Sequence, residues 1–125
     1  MKSAYDIHMK ILVIDDSAHF REAVKKALAE TDHEVEVAED GFQGLARIHD
    51  IRPDLVFTDV DMPKVSGIEL TEIASSIGYP VIVMTGNDTM LDEAVSKVSG
   101  AKGFIVKDEK LGESIIAACR SFTDE

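Results

Sequence analysis

Two aspartates follow a short apolar run in the middle of the chain, in the stretch FTDVDMP at residues 57–63. An Asp-x-Asp pair placed after a strand fits at least two kinds of phosphate chemistry. Asp59 or Asp61 is a nucleophile, both are metal ligands, or the pair is only a turn. The other reactive residues of the chain must decide between these interpretations.

Three further apolar runs also end in polar residues, namely Asp15-Asp16, Thr85 and Lys107. Like charges about 4 Å apart repel by roughly 4 kcal/mol at an effective dielectric of 20, so three carboxylates need a compensating cation. A cluster of oxygen donors suits Mg²⁺, with Mn²⁺ as a possible substitute. A carboxylate can attack phosphorus to form an aspartyl phosphate, and Lys107 and the Thr85 hydroxyl can bind the phosphoryl oxygens. Each residue alone has a structural explanation, such as helix capping, but their combination favours phosphoryl chemistry.

Five short apolar runs alternate with segments of helical period. The runs lie at residues 11–14, 35–38, 55–57, 81–84 and 104–106. Four helical stripes are clear: Phe20, Ala23, Val24, Ala27 and Leu28; Leu70, Ile73, Ala74 and Ile77; Leu91, Ala94, Val95 and Val98; and Leu111, Ile115, Ala118 and Phe122. The weakest helix, at about residues 41–50, is supported by Asp40 as N-cap and Gln43 three residues later.

This fivefold β-α order predicts a parallel sheet with helices on both faces. Ligands of such sheets bind beyond the carboxyl ends of the strands. The fold therefore brings the polar residues that end the first, third, fourth and fifth runs to one edge.

The composition fits one compact domain. The chain has 125 residues, 45% of them hydrophobic, and a formal net charge of −11. This acidity disfavours direct binding to nucleic acid, and no run is long enough to span a membrane. The first nine residues lack the apolar core of a signal peptide, so a cytoplasmic location is expected.

Cys119 is the only cysteine, so no internal disulfide is possible, and it is expected to pack as a small apolar residue.

Four motifs resemble the receiver domain of two-component response regulators, including the chemotaxis regulators. They are ILVIDDSAHFR, PDLVFTDVDMPKVSGIEL, PVIVMTGN and AKGFIVK, and the likeness runs from about Met9 to Phe122. The resemblance implies a flavodoxin-like, doubly wound sheet of five parallel strands in the order 2-1-3-4-5, flanked by five helices. We expect a single receiver domain at residues 9–125 after an N-terminal extension at 1–8.

The resemblance also implies roles for the residues at the strand ends. Asp59 would accept a phosphoryl group from the phosphohistidine of a sensor kinase or phosphotransfer protein. Mg²⁺ would be held by Asp15, Asp16, Asp59 and the backbone carbonyl of Asp61. Lys107 would pair with the phosphoryl group.

In the same family, the residue matching Thr85 hydrogen-bonds the phosphoryl group, and the residue matching Phe104 is an aromatic switch. Phosphorylation would then change the face made by the fourth helix, fifth strand and fifth helix, where a downstream protein binds. Such a chain catalyses only its own phosphorylation and dephosphorylation. It is expected to be a stand-alone regulator or the receiver part of a longer protein, because no output domain follows the last helix.

The main alternative is a haloacid-dehalogenase-like phosphatase, in which Asp-x-Asp supplies nucleophile and general acid. That family has Thr or Val two residues after the second aspartate, where this chain has Pro63. Its nucleophile lies near the start of the chain, and its metal-binding acids follow the lysine. The order of residues here is different, and the chain is too short for the usual cap domain.

Three positions depart from or modulate the receiver pattern. Asp108 stands where most receivers have proline after the lysine, so we expect a trans peptide bond there. Asp61 and Asn87 are expected to tune the lifetime of the phosphoaspartate, in a direction that the sequence leaves open. The missing proline keeps a second hypothesis open, a degenerate receiver that docks without phosphate.

Overall fold

The computed structural model describes residues 8–123, in which five strands alternate with five helices. The strands are β1 (Lys10–Ile14), β2 (Glu34–Ala38), β3 (Leu55–Asp59), β4 (Val81–Thr85) and β5 (Gly103–Val106). The helices are α1 (Ala18–Leu28), α2 (Gly41–Ile51), α3 (Gly67–Ser76), α4 (Asp88–Lys97) and α5 (Leu111–Thr123). Nearly all of the predicted N-terminal extension lies outside the described residues, so the domain boundary at residue 9 stays a prediction.

The strands form one parallel sheet in the order β2-β1-β3-β4-β5, which confirms the predicted fold class. All four strand pairs are parallel. The carboxyl ends of β1, β3, β4 and β5 therefore lie along the same edge of the sheet.

Alternating side chains of the strands pack into two apolar layers. Ile11 and Val13 of β1 face a cluster completed by α1 and α5. Leu12 and Ile14 face a second cluster completed by α2, α3 and α4. Cys119 is buried in the first cluster, as expected, and burial raises the pKa of its thiol to about 11.

Polar N-caps begin four of the helices, and each cap accepts a hydrogen bond from the backbone N–H three residues later. The capping residues are Ser17, Asp40, Ser66 and Asn87. The predicted pair at α2 is confirmed in a modified form. Gln43 N donates to Asp40 Oδ1 at 2.7 Å, but Gln43 Oε1 accepts from the backbone N–H of Glu39 rather than of Asp40. The capping box therefore reaches one residue further back than usual.

The predicted apolar stripes are buried only in part. Ile73 and Ile77 of α3 are 45% and 64% exposed, and Val95 of α4 is 55% exposed. Each helix contacts the sheet through only a narrow strip of its surface. Apolar side chains at the margins of the predicted stripe therefore remain exposed to solvent. None of the helices within residues 8–123 is long and apolar enough to cross a membrane.

Two glycines allow the helix starts to approach the sheet edge closely. A Cβ on Gly67, the first residue of α3, would lie 2.0 Å from the backbone oxygen of Asp59. A Cβ on Gly41, the first residue of α2, would lie 2.0 Å from the backbone oxygen of Val65. α3 therefore packs against the end of β3 at Asp59, and α2 packs against the loop that follows it.

We expect Gly67→Ala to lower the free energy of unfolding by about 2–4 kcal/mol, because the added methyl group meets fixed backbone. Helix propensity alone predicts the opposite sign, a gain of up to about 1 kcal/mol. Chemical denaturation measures the difference. Gly86→Ala is the matched control, since a Cβ there would meet only the flexible Met90 side chain, at 3.2 Å. Equal stability of the two variants would contradict the close packing of α3.

Candidate functional site

Backbone hydrogen bonds extend the sheet beyond the strand ends and fix the polar residues at its carboxyl edge. Asp15 N donates to Ala38 O at 3.2 Å, and Lys107 N donates to Thr85 O at 2.7 Å. Val60 N donates to Met84 O at 3.2 Å, just after Asp59. The backbone of each of these segments is therefore held by its neighbour, as in the strands themselves.

Lys107 joins two of the predicted carboxylates. Its Nζ lies 3.0 Å from Asp15 Oδ2 and 3.3 Å from Asp59 Oδ1. The three side chains are 8%, 0% and 10% exposed, in the order Lys107, Asp15 and Asp59. These ion pairs are therefore shielded from water. In such an interior position, charge interactions are stronger than at the surface.

Asp15 is fixed by further hydrogen bonds at the start of α1. Its Oδ1 accepts from the backbone N–H of Ser17 at 2.9 Å. Its backbone carbonyl accepts from Arg21 Nη1 at 2.8 Å. The loop after β1 thus holds this carboxylate at both its side chain and its backbone.

Asp15, Asp16 and Asp59 form a candidate metal site. One carboxylate oxygen from each lies within 4.8 Å of the other two. Asp15 and Asp59 are buried, whereas Asp16 is exposed to solvent. Three carboxylates against the one ammonium of Lys107 leave an excess of negative charge, and their oxygen atoms suit a hard divalent cation.

The electrostatic surroundings of Asp59 favour its protonated form. Burial is the main cause that raises the pKa of Asp59 to about 6, and the charge of Asp15 raises it as well. Lys107 acts in the opposite direction but does not cancel these effects. In the absence of another cation, the Asp59 carboxyl is therefore half ionised at about pH 6, well above its ordinary pKa of 3.8.

Thr85 and Asn87 lie at the adjoining end of β4. Thr85 is buried, and its hydroxyl donates to the backbone carbonyl of Asn87 across 3.5 Å, the long limit of a hydrogen bond. The side chain of Asn87 caps α4 by accepting from Met90 N at 2.9 Å. The Thr85 hydroxyl is thus weakly held, whereas the Asn87 side chain caps the start of α4.

The other predicted residues lie around this group. Asp61 is exposed beside a cleft of about 120 Å³ between α3 and α4. Phe104 is half-buried and packs with the second apolar cluster. No cis peptide bond occurs within residues 8–123, as expected for the Lys107–Asp108 bond. Asp108 accepts from the backbone N–H groups of Lys110 and Leu111 at 2.9 and 3.0 Å, so it forms the turn that precedes α5.

Phe20 also belongs to the site, although the sequence did not predict it as a site residue. Its ring lies under Lys107, with Nζ 4.2 Å from the ring centroid. In the sequence it is one member of the apolar stripe of α1, and the same spacing describes an ordinary core residue. Only the structure shows that the Lys107 side chain, just after β5, reaches the ring.

Known proteins resemble this chain over most of its length. The family described as "Response regulator receiver domain" matches residues 11–118. Response regulator MprA of Mycobacterium sp. (strain KMS) is 33% identical over 115 residues, which cover 90% of this chain and 50% of that protein. The chain therefore spans about half the length of the curated relatives that it matches.

Solved structures show the same likeness. The chemotaxis response regulator CheY4 of Vibrio cholerae superposes with a TM-score of 0.81 at 28% identity, covering 93% of this chain and 99% of that one. NtrX of Brucella abortus gives a TM-score of 0.84 at 29% identity, over 94% of this chain and 28% of that one.

Asp59→Asn should raise stability in a chelator-treated sample, because the buried carboxylate destabilises the fold when it is charged. The pKa of Asp59 is about 6 in the folded chain against an ordinary value of 3.8. Between these values the native state holds a proton that the unfolded chain has lost, so stability falls as pH rises through this window. We expect a gain of about 1–2 kcal/mol at about pH 8 that disappears below about pH 4, allowing for solvent screening.

Urea denaturation across this pH range measures the effect, with the exposed Asp61→Asn as matched control. A loss of stability in Asp59→Asn at neutral pH would contradict the prediction. It would mean that the ion pair with Lys107 outweighs the cost of burying the charge.

Proposed function

The chain belongs to the response regulator receiver domain family, and we propose that it is a phosphoacceptor switch in which Asp59 takes a phosphoryl group from a phosphohistidine. The family match separates it from the dehalogenase-like phosphatases considered above. One observation carries the proposal. The Asp59 carboxylate lies 3.3 Å from Lys107, beside Asp15 and Asp16, at the carboxyl edge of a parallel sheet.

The chain's own residues supply the parts of a phosphoryl transfer. An oxygen of the Asp59 carboxylate attacks phosphorus, the bond from phosphorus to the donor imidazole breaks, and that nitrogen keeps the electron pair. Lys107 offsets the negative charge of the transferred oxygens. The Thr85 hydroxyl, with only a long hydrogen bond to Asn87, is free to turn toward a phosphoryl oxygen.

The acidic group fits Mg²⁺, and Mn²⁺ as a substitute. Asp15, Asp16 and Asp59 would hold it by carboxylate oxygens, and Asp61 by its backbone carbonyl. When bound, the ion neutralises the charge shared by these carboxylates and the phosphoryl group. Asp61 and Asn87, at the rim, would tune access of water and hence the lifetime of the phosphoaspartate.

Phosphorylation would be transmitted through Thr85 and Phe104. A shift of Thr85 toward Asp59 changes the space beside β4, and the half-buried Phe104 ring of β5 repacks in response. The resulting change appears on the face formed by α4, β5 and α5. Val95, 55% exposed, gives this face an apolar contact.

The partners follow from this role. A sensor histidine kinase or a histidine phosphotransfer protein would donate the phosphoryl group, and a downstream protein would bind the α4–β5–α5 face. The net charge of −11 disfavours direct binding of these residues to nucleic acid. The phosphoryl transfer would take place in the cytoplasm.

Intact-protein mass after incubation with Mg²⁺ and acetyl phosphate tests the acceptor role. The wild type should gain one phosphoryl group, while the metal-free sample and Asp59→Ala should gain none.

If no adduct accumulates, released phosphate is assayed in the same samples. Sustained Mg²⁺-dependent release that needs Asp59 indicates a short-lived phosphoaspartate. The absence of both the adduct and phosphate release would contradict the acceptor role. It would favour a domain that docks without phosphate.

Mg²⁺ should stabilise the wild type against thermal unfolding, because the folded chain gathers the carboxylates that the unfolded chain separates. At about 100 times the dissociation constant the gain is about 2.7 kcal/mol. Asp16→Asn, which changes an exposed ligand, should lose most of this gain while keeping its melting temperature in chelator. An equal Mg²⁺ effect in both proteins would contradict the assigned metal site.

A further inference from the structure

The aromatic contact of Lys107 has no part in the chemistry described above. Nζ of Lys107 lies 4.2 Å from the centroid of the Phe20 ring, close enough for a cation–π interaction. We propose that Phe20 is a positioning residue whose ring holds the Lys107 ammonium between Asp15 and Asp59. This inference rests on the proposed phosphoacceptor function, because it concerns the placing of the group that meets the transferred oxygens.

The ammonium needs a third partner because it has little contact with water. The Lys107 side chain is 8% exposed, and its two ion-pair partners are 0% and 10% exposed. An ammonium has three N–H donors, and the two carboxylates leave part of this capacity unused. The face of an aromatic ring carries negative charge density that replaces some of the lost hydration, and it does so best where water is excluded.

The Phe20 ring is held in place by the same loop that holds Asp15. Ser17 N donates to Asp15 Oδ1 at 2.9 Å, and Ser17 Oγ accepts from Phe20 N at 3.4 Å. The ring packs against the first apolar cluster and meets the edge of His19, with ring centroids 5.2 Å apart. The start of α1 therefore presents both a carboxylate and an aromatic face to the same ammonium.

This arrangement separates two tasks. Asp15 and Asp59 attract Lys107 by charge, and both would also bind the metal ion. The Phe20 ring attracts the ammonium but is not a metal ligand. It would therefore still hold the Lys107 ammonium when Asp15 and Asp59 bind the metal ion. Phe20 therefore keeps Lys107 at the acceptor without touching the phosphoryl group.

A series of fluorinated phenylalanines at position 20 tests this role. Monofluoro-, difluoro- and trifluorophenylalanine keep the shape of the ring and progressively remove negative charge from its face. With acetyl phosphate and saturating Mg²⁺, we expect the rate constant of Asp59 phosphorylation to fall at each step, by about threefold to tenfold over the series. A purely structural role of Phe20 predicts no such gradation. A constant rate, or a rate that rises with fluorination, would overturn the proposal.

A second measurement reads the contact without any phosphorylation. The melting temperatures of wild type, Phe20→Leu, Lys107→Met and the double variant form a double-mutant cycle. Phe20→Leu should lower the melting temperature by at least roughly 2 °C more when Lys107 is present than when it is methionine. Additive effects would mean that the ring does not hold the ammonium, and the proposal would fail.

The two measurements together separate this inference from the proposed function. A coupled cycle with a graded phosphorylation rate supports the positioning role. If the wild type accepts no phosphoryl group at all, the proposed function fails, and the role of Phe20 in phosphorylation fails with it. If the wild type is phosphorylated but the rate is constant across the series, only the role of Phe20 is overturned.

Discussion

The pairing of Lys107 with two buried carboxylates is the constraint on which the carboxyl edge of this sheet depends. Asp15 is fully buried and Asp59 nearly so, and two such charges side by side are costly in a medium of low dielectric. The cost is reduced because β5 ends at the same level as β1 and β3, which brings an ammonium within 3.3 Å of both. The compensation is incomplete, since the pKa of Asp59 still rises to about 6. A further positive charge would reduce the remaining repulsion, which is why the group of Asp15, Asp16 and Asp59 could hold a metal ion.

The rest of the fold serves to keep this edge in register. Parallel pairing sets the strand ends level, and backbone hydrogen bonds beyond the strands continue to fix Asp15 and Lys107. The N-caps Ser17 and Asn87 start α1 and α4 directly beside the site. Capping and positioning are thus performed by the same short loops, as is common where the carboxyl ends of strands meet helices.

Much of this could be predicted from the sequence, because hydrophobic periodicity and polar strand ends are local signals. The five strands, the five helices and the meeting of Asp15, Asp59 and Lys107 all follow from them. What could not be predicted depends on distances across the fold. The spacing of Phe20 is that of an ordinary core residue, and only the structure shows the Lys107 side chain reaching its ring. The exposure of Ile73 and Ile77 depends on how α3 lies on the sheet. The turn that Asp108 forms before α5 could not be predicted by comparison with the receiver pattern, because the usual proline is absent.

The glycine at the start of α3 divides the site into a stiff side and a compliant side. With no room for even a methyl group between Gly67 and the Asp59 carbonyl, α3 and the end of β3 must move as one body. On the other side, Gly86 is exposed and the Thr85 hydroxyl makes only a long hydrogen bond. A change at Asp59 would therefore meet less resistance at the Thr85 hydroxyl and at the exposed start of α4 than at α3. Packing alone would then give the response of the site a preferred direction.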